Sequence, residues 1–116
     1  MPYDPDNIFA RIIRDELPST RVYEDEEFIA IRDIEPLAPT HILVMPKGGG
    51  TAGPADLLDA DAAWVGRMVL LATRLARDEG LADGYRLVMN CGADAGQAVP
   101  HLHMHLLGGR SLPKLG

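Results

Sequence analysis

His101, His103 and His105 occupy alternate positions of the run His101-Leu102-His103-Met104-His105-Leu106-Leu107, and the chain's only other histidine is His41. Imidazole, with an ordinary pKa of about 6.5, can act near neutral pH as nucleophile, proton carrier or metal ligand. In an extended strand, successive side chains point to opposite faces, so the three histidines share one face while Leu102, Met104 and Leu106 turn toward a core. Neighbouring imidazoles on such a face stand about 6.6 Å apart and the outer two about 13 Å apart along the strand. One metal ion could therefore take two of them, with His41 or Asp94 as a further ligand, but no cysteine stands at a zinc spacing. A purely structural polar face would need a hydrogen-bond partner for each ring.

The loop Asn90-Cys91-Gly92-Ala93-Asp94-Ala95-Gly96-Gln97-Ala98-Val99-Pro100 leads into the run. Its glycines let backbone approach a ligand closely, and successive N–H groups in such a turn can cradle an anion. With the amides of Asn90 and Gln97 added, a phosphate fits at the mouth of the histidine strand. Binding without turnover and catalysis would use the same parts. They differ in whether one neutral imidazole is aimed at phosphorus as a nucleophile.

Several elements must position these groups. Asn7 can cap a short helix carrying Ile8, Phe9, Ile12 and Ile13, which ends before Leu17-Pro18. Val22–Glu24 and Phe28–Arg32 flank acidic Asp25-Glu26-Glu27 as a hairpin, and Thr40–Met45 follows a loop bracketed by Pro36 and Pro39 as a third strand. Lys47–Pro54 reads as a flexible connector; its lysine precedes the glycines, so it lacks the order of a phosphate-binding loop. From Asp59 to Glu79, Trp64, Val65, Met68, Leu71, Ala72 and Leu75 recur at helical spacing, with Gly80 as C-terminal cap. Trp64 and Met68 belong to that buried stripe, as core or subunit interface. Tyr85–Asn90 and the histidine run complete five strands. Strands grouped around one long helix imply an α+β fold with a largely antiparallel sheet.

The 116 residues suit a single domain spanning 1–116. Apolar residues make up 47% and charged residues 24%, a composition of folded globular proteins. A net charge of −6 argues against a broad grip on nucleic acid and toward small-molecule chemistry. One cysteine excludes an intrachain disulfide framework. Together with an acidic start and no apolar run of membrane-spanning length, this points to a cytoplasmic protein with no membrane partner.

His101 to Leu107 fits H-φ-H-φ-H-φ-φ, where φ is apolar, and resembles the signature of the histidine triad (HIT) family of nucleotidyl hydrolases and transferases. Asn7-Ile8-Phe9, Arg32-Asp33-Ile34, Ala38-Pro39-Thr40-His41, Gly84–Asn90, Gly96-Gln97 and Gly108-Gly109-Arg110 are similar to its Hint branch of purine nucleoside phosphoramidases. The likeness runs from about residue 7 to residue 110. It implies a HIT fold with one long helix and one short N-terminal helix, and a homodimer formed through the long helix and the strand beside it.

By this resemblance, His103 attacks the α-phosphorus of a purine nucleoside 5′-phosphoramidate to give a nucleotidyl-histidine that water cleaves. His105 holds a nonbridging phosphate oxygen, and His101 and His41 complete the catalytic set. Asp33 accepts the ribose hydroxyls, Ile31 and Ile34 face the base, and Asn90, Gly96, Gln97 and Ala98 form the phosphate-side loop. No cofactor and no metal are implied. Three positions depart from the pattern. Ala98 stands where relatives commonly carry serine, so the hydroxyl thought to help the amine leave is missing. Ala10 replaces a cysteine of zinc-containing bacterial relatives. The tail Ser111–Gly116 lacks the tryptophan of some eukaryotic members. Two alternatives remain: a dinucleoside polyphosphate hydrolase of another HIT branch, and a nucleotide-binding regulatory module with little catalysis.

Overall fold

Asn7 starts the first helix, α1 (Ile8–Ile13), by accepting the Ala10 N–H on its side-chain oxygen at 2.9 Å. The structure is a computed structural model and describes residues 2–114. Met1, Leu115 and Gly116, and with them the end of the expected tail, lie outside the described residues.

The five strands are β1 (Arg21–Glu24), β2 (Phe28–Arg32), β3 (Thr40–Pro46), β4 (Tyr85–Val88) and β5 (Met104–Gly108). They form one sheet in the order β1-β2-β3-β5-β4, with every neighbouring pair antiparallel. β3 is central and buried throughout, because both of its faces are covered. On one side the long helix α2 (Ala62–Asp78) places Met68, Leu71, Ala72 and Leu75 against Phe28, Ala30, Ile42, Val44, Leu102, Met104 and Leu106. On the other side Phe9 and Ile12 of α1 pack with Ile29, Ile31, Leu43 and Met45. Fully burying one such side chain contributes about 1.5–3 kcal/mol, so the two layers hold the sheet rigid between them.

The alternation of β3 decides where the histidines go. His41, Leu43 and Met45 share the α1 side, and the register Leu43↔His105 places His105 there too. α2 starts later than its apolar spacing implies, because Asp59–Asp61 forms a tighter turn first. There Asp61 accepts from the Leu58 N–H and from the Trp64 indole N–H, which leaves Trp64 partly buried at the helix start. Gly80 closes α2 as expected: at φ +74° it donates to Arg77 O while Leu81 N–H reaches Ala76 O.

Three expectations need correction. The histidine run is not all strand, since β5 begins only at Met104. Extending the β3–β5 register beyond Val44↔Met104 would set Pro46 against Leu102, and proline has no N–H to give. The backbone before Met104 turns to loops instead: Leu102 N–H donates to Thr51 O and His101 N–H to Val99 O. Likewise β4 stops at Val88, short of the expected Asn90. The glycine-rich connector is also more than a linker. A Cβ on Gly53 would come within 2.9 Å of Gln97 Oε1, so this glycine lets the connector lie directly under the loop before the histidines.

Candidate active site

His101, His103 and His41 are each fixed by a backbone group that can only donate or only accept, and those partners determine the protons. His101 is 2% exposed and directs Nε2 at the Pro46 carbonyl, 2.8 Å away. A carbonyl only accepts, so Nε2 carries the hydrogen and Nδ1 accepts from the Tyr3 hydroxyl at 2.9 Å. His103 donates from Nδ1 to the His101 carbonyl at 2.7 Å, which leaves a lone pair on Nε2. The Phe9 ring stands edge-on to His103 at 4.9 Å between centroids, limiting how its imidazole can turn.

The second pair runs the other way. Leu37 N–H donates to His41 Nδ1 at 3.1 Å, so the His41 proton sits on Nε2. That Nε2–H faces His105 Nδ1 at 2.9 Å, with the Asp33 carboxylate 3.4 Å from the same nitrogen. His105 must then carry its own proton on Nε2. The His103 and His105 rings stand 5.2 Å apart. One offers a lone pair and the other an N–H, and neither Nε2 has a hydrogen-bond partner among the described residues. This is the pairing that a nucleophile and an oxyanion donor require.

Burial favours the neutral form of all four imidazoles. Desolvation is the largest cause of the lowered pKa at His101, His103 and His41, outweighing the opposing pull of Asp33 on the last two and of the Pro46 carbonyl on His101. His105 is pushed down to about 4 by desolvation first and by the neighbouring His103 and His41 second. Neutral rings are what the tautomer assignments need.

The remaining expected residues take distinct places. Ile31 is buried in the α1-side cluster, whereas Ile34 is 91% exposed. Asp33 receives the Glu35 N–H on Oδ1 and turns Oδ2 toward His41. Gln97 is buried with its amide fully engaged: Nε2 donates to Ala52 O and Val99 O, and Oε1 accepts from Gly92 N–H. Its side chain therefore shapes the loop; the Gly96 and Gln97 N–H groups are likewise taken, by Ala93 O and Gly92 O, which leaves the Ala98 N–H to meet a ligand. Gly96, at φ +79°, forms the turn, Ala98 is exposed, and Asn90 is partly buried. Tyr3 is a site residue that sequence reasoning missed; nothing in its neighbourhood marks a partner 98 positions away. Phe9 was legible only as part of an apolar helix face.

Asp33, His41 and His105 also place one possible metal-ligand atom each within 4.8 Å of one another. This is a different set from two alternate histidines of one strand. A cation there would displace the proton that His41 and His105 share, so metal and hydrogen bond are mutually exclusive. A surface cavity of about 520 Å³ bounded by Leu81, Asp83, Tyr85, Arg86, Arg110 and Leu112 contains none of the four histidines.

Comparison with known proteins agrees with this geometry. The HIT domain family matches residues 14–112. The purine nucleoside phosphoramidase of Escherichia coli K12 is 48% identical over 110 residues, covering 92% of this chain and 90% of its own. The 14 kDa zinc-binding protein of Zea mays is 48% identical over 110 residues, covering 94% and 86%. A solved HIT family hydrolase from Clostridium thermocellum superposes with a TM-score of 0.88 at 45% identity, covering 95% of this chain and 96% of that one. The histidine face, the sheet that carries it and these likenesses place the chain in the HIT hydrolase family, in its Hint-type branch.

Proposed function

We propose that the protein hydrolyses purine nucleoside 5′-phosphoramidates through a nucleotidyl-histidine intermediate. The observation that carries this reading is the His103–His105 pair, with a lone pair on one Nε2 and a proton on the other, 5.2 Å apart between rings. His103 Nε2 attacks the α-phosphorus, the phosphorus–nitrogen bond breaks, and the amine departs with its electron pair. Nδ1–H remains on the His101 carbonyl and stabilises the positive charge that the ring gains. His105 Nε2–H donates to a nonbridging oxygen as its charge grows. Water then attacks phosphorus, gives up a proton and restores His103.

Asp33 accepts the ribose hydroxyls beside its contact with His41, and the base lies toward Ile34 and the exposed flank of α1 at Ile8, which is 50% exposed. The Ala98 N–H holds the phosphate side, at the end of a turn whose Gly96 and Gln97 N–H groups already donate to Ala93 O and Gly92 O. Ala98 has no hydroxyl, so the amine takes its proton from water, from a histidine or from the substrate itself. That same residue favours a second reading, a nucleotide-binding module with slow turnover. A homodimer through α2 and β4 fits both: β4 is an edge strand, and Leu70 on the outer side of α2 is 66% exposed. No helix among the described residues is long and apolar enough to cross a membrane, in keeping with a cytoplasmic hydrolase.

The test compares an adenosine 5′-phosphoramidate with a diadenosine polyphosphate and traps the enzyme during turnover. Faster release of AMP from the phosphoramidate, with an acid-labile label on His103, is expected. A preference for the polyphosphate would move the protein to another HIT branch, and the absence of both label and product would leave the binding module.

A further inference from the structure

The loop from Asp33 to Pro39 carries the Asp33 carboxylate and the Leu37 N–H that sets the His41 tautomer, yet Ala38 is its one buried apolar side chain. Ile34 is 91% exposed and Leu37 72% exposed. Its place depends on polar ties instead. Asp33 N–H donates to His41 O at 3.0 Å, Glu35 N–H to Asp33 Oδ1 at 2.8 Å, and Leu37 N–H to His41 Nδ1 at 3.1 Å. These join the loop to itself and to the start of β3. A fourth tie comes from the far end of β5: the Arg110 guanidinium donates from Nη2 to Leu37 O at 3.0 Å.

Gly109 makes that reach possible. It adopts φ +98°, and a Cβ there would lie 2.9 Å from Pro39 Cβ. Only a residue without a side chain lets β5 leave the sheet so close to the loop. The Gly108-Gly109-Arg110 motif, which the catalytic steps leave unused, thus meets the loop at two points.

The His41–His105 pair has two ways to share its protons. With Leu37 N–H on His41 Nδ1, the proton of His41 lies on Nε2 and His105 presents Nε2–H to the phosphate. With that N–H withdrawn, His41 can carry its proton on Nδ1 and accept from His105 Nδ1–H. His105 then turns a lone pair toward the phosphate oxygens, and a donor becomes a repulsive acceptor.

We propose that Arg110 is a positioning residue that selects the productive proton arrangement: by holding the Leu37 carbonyl it restrains the residue whose N–H, on the preceding peptide unit, bonds His41 and, through His41, keeps His105 a donor. The kinetic part of this proposal rests on the phosphoramidate reading given above; the structural part does not.

The experiment labels histidine with ¹⁵N in the intact protein and reads the imidazole nitrogens of wild type, Arg110→Ala and Arg110→Lys, alongside turnover of an adenosine phosphoramidate. In wild type, His41 and His105 are each expected as a single neutral Nε2–H tautomer. In Arg110→Ala both rings shift toward a tautomer average, His101 and His103 stay unchanged, and kcat/KM falls roughly tenfold or more. Lysine can still reach Leu37 O, so Arg110→Lys should recover most of the wild-type nitrogen pattern and rate. Unchanged His41 and His105 signals in Arg110→Ala would overturn the proposal, as would equal losses in the alanine and lysine variants. Should the alanine protein fail to fold, the lysine variant decides: a wild-type pattern supports the clamp, and an averaged one refutes it. If wild type does not turn over the phosphoramidate, the functional reading falls while the nitrogen signals still test the clamp.

Discussion

His101 with His103 and His41 with His105 are two pairs of the same residue on one face, anchored by different physics. The first pair is held from within: a buried His101 ring bonded to the Pro46 carbonyl, a backbone carbonyl bonded to His103, and Phe9 against the side of His103. The second pair takes its orientation from a loop whose large apolar side chains, Ile34 and Leu37, are exposed and which hydrogen bonds tie down beside the small buried Ala38. A nucleophile must point one lone pair along one line, so rigid backbone contacts suit it. A donor must follow an oxygen that moves as phosphorus inverts, and in the proposed complex, where Asp33 of that loop accepts the ribose hydroxyls, the donor is coupled to the presence of substrate. The difference predicts loss without recovery on the inner side and graded effects on the loop side.

Three measurements sharpen the contrast. The largest effect belongs to His103→Ala, which should lower turnover at least about a thousandfold while nucleotide binding persists. Hydrolysis at the wild-type rate by that variant would remove His103 from the nucleophile's role.

Next comes pH. The histidine pKa values are lowered by burial, so the neutral rings survive as pH falls, and the acid limb of kcat/KM should lie below the free-imidazole value of about 6.5. Stability follows the same sign: the unfolded chain takes up protons near 6.5 that the folded rings refuse. The stability contribution is therefore full above that pH and declines as pH falls toward 4, where His105 itself titrates. An acid limb at or above 6.5 would mean that these rings are hydrated in solution.

The smallest effect is expected at Tyr3→Phe. It removes the hydroxyl that His101 accepts and should cost about 1 kcal/mol of stability in a melting experiment. His103 is oriented by the His101 backbone and not by its ring, so the rate should change little. A large rate loss without a stability loss would show that Tyr3 acts in the reaction.

Much of the frame was legible because local rules and tertiary packing agree. Asn7 caps, Gly80 terminates, and the alternation through Leu102, Met104 and Leu106 faces a core, as their types and spacing imply. The misreadings have one cause in common. Pro46 ends the β5 ladder from the neighbouring strand, and Gly53 fits beneath Gln97 from another loop, so neither effect shows in the segment it alters. Gln97 looked like a phosphate donor because a side-chain amide can donate; only its three backbone partners show that this capacity is engaged.

The sequence by itself determined the chemistry available and the side of the chain that carries it. Four imidazoles, one carboxylate and an apolar alternation are properties of residue type and of the two-residue period of a strand. Which imidazole presents a lone pair and which an N–H was decided only by tertiary structure. A neutral histidine has two tautomers of nearly equal energy, and the choice falls to partners far along the chain: Pro46 O for His101, the His101 carbonyl for His103, and Leu37 N–H for His41. All three partners are backbone groups, of kinds that nearly every residue carries, so only folding distinguishes one from another.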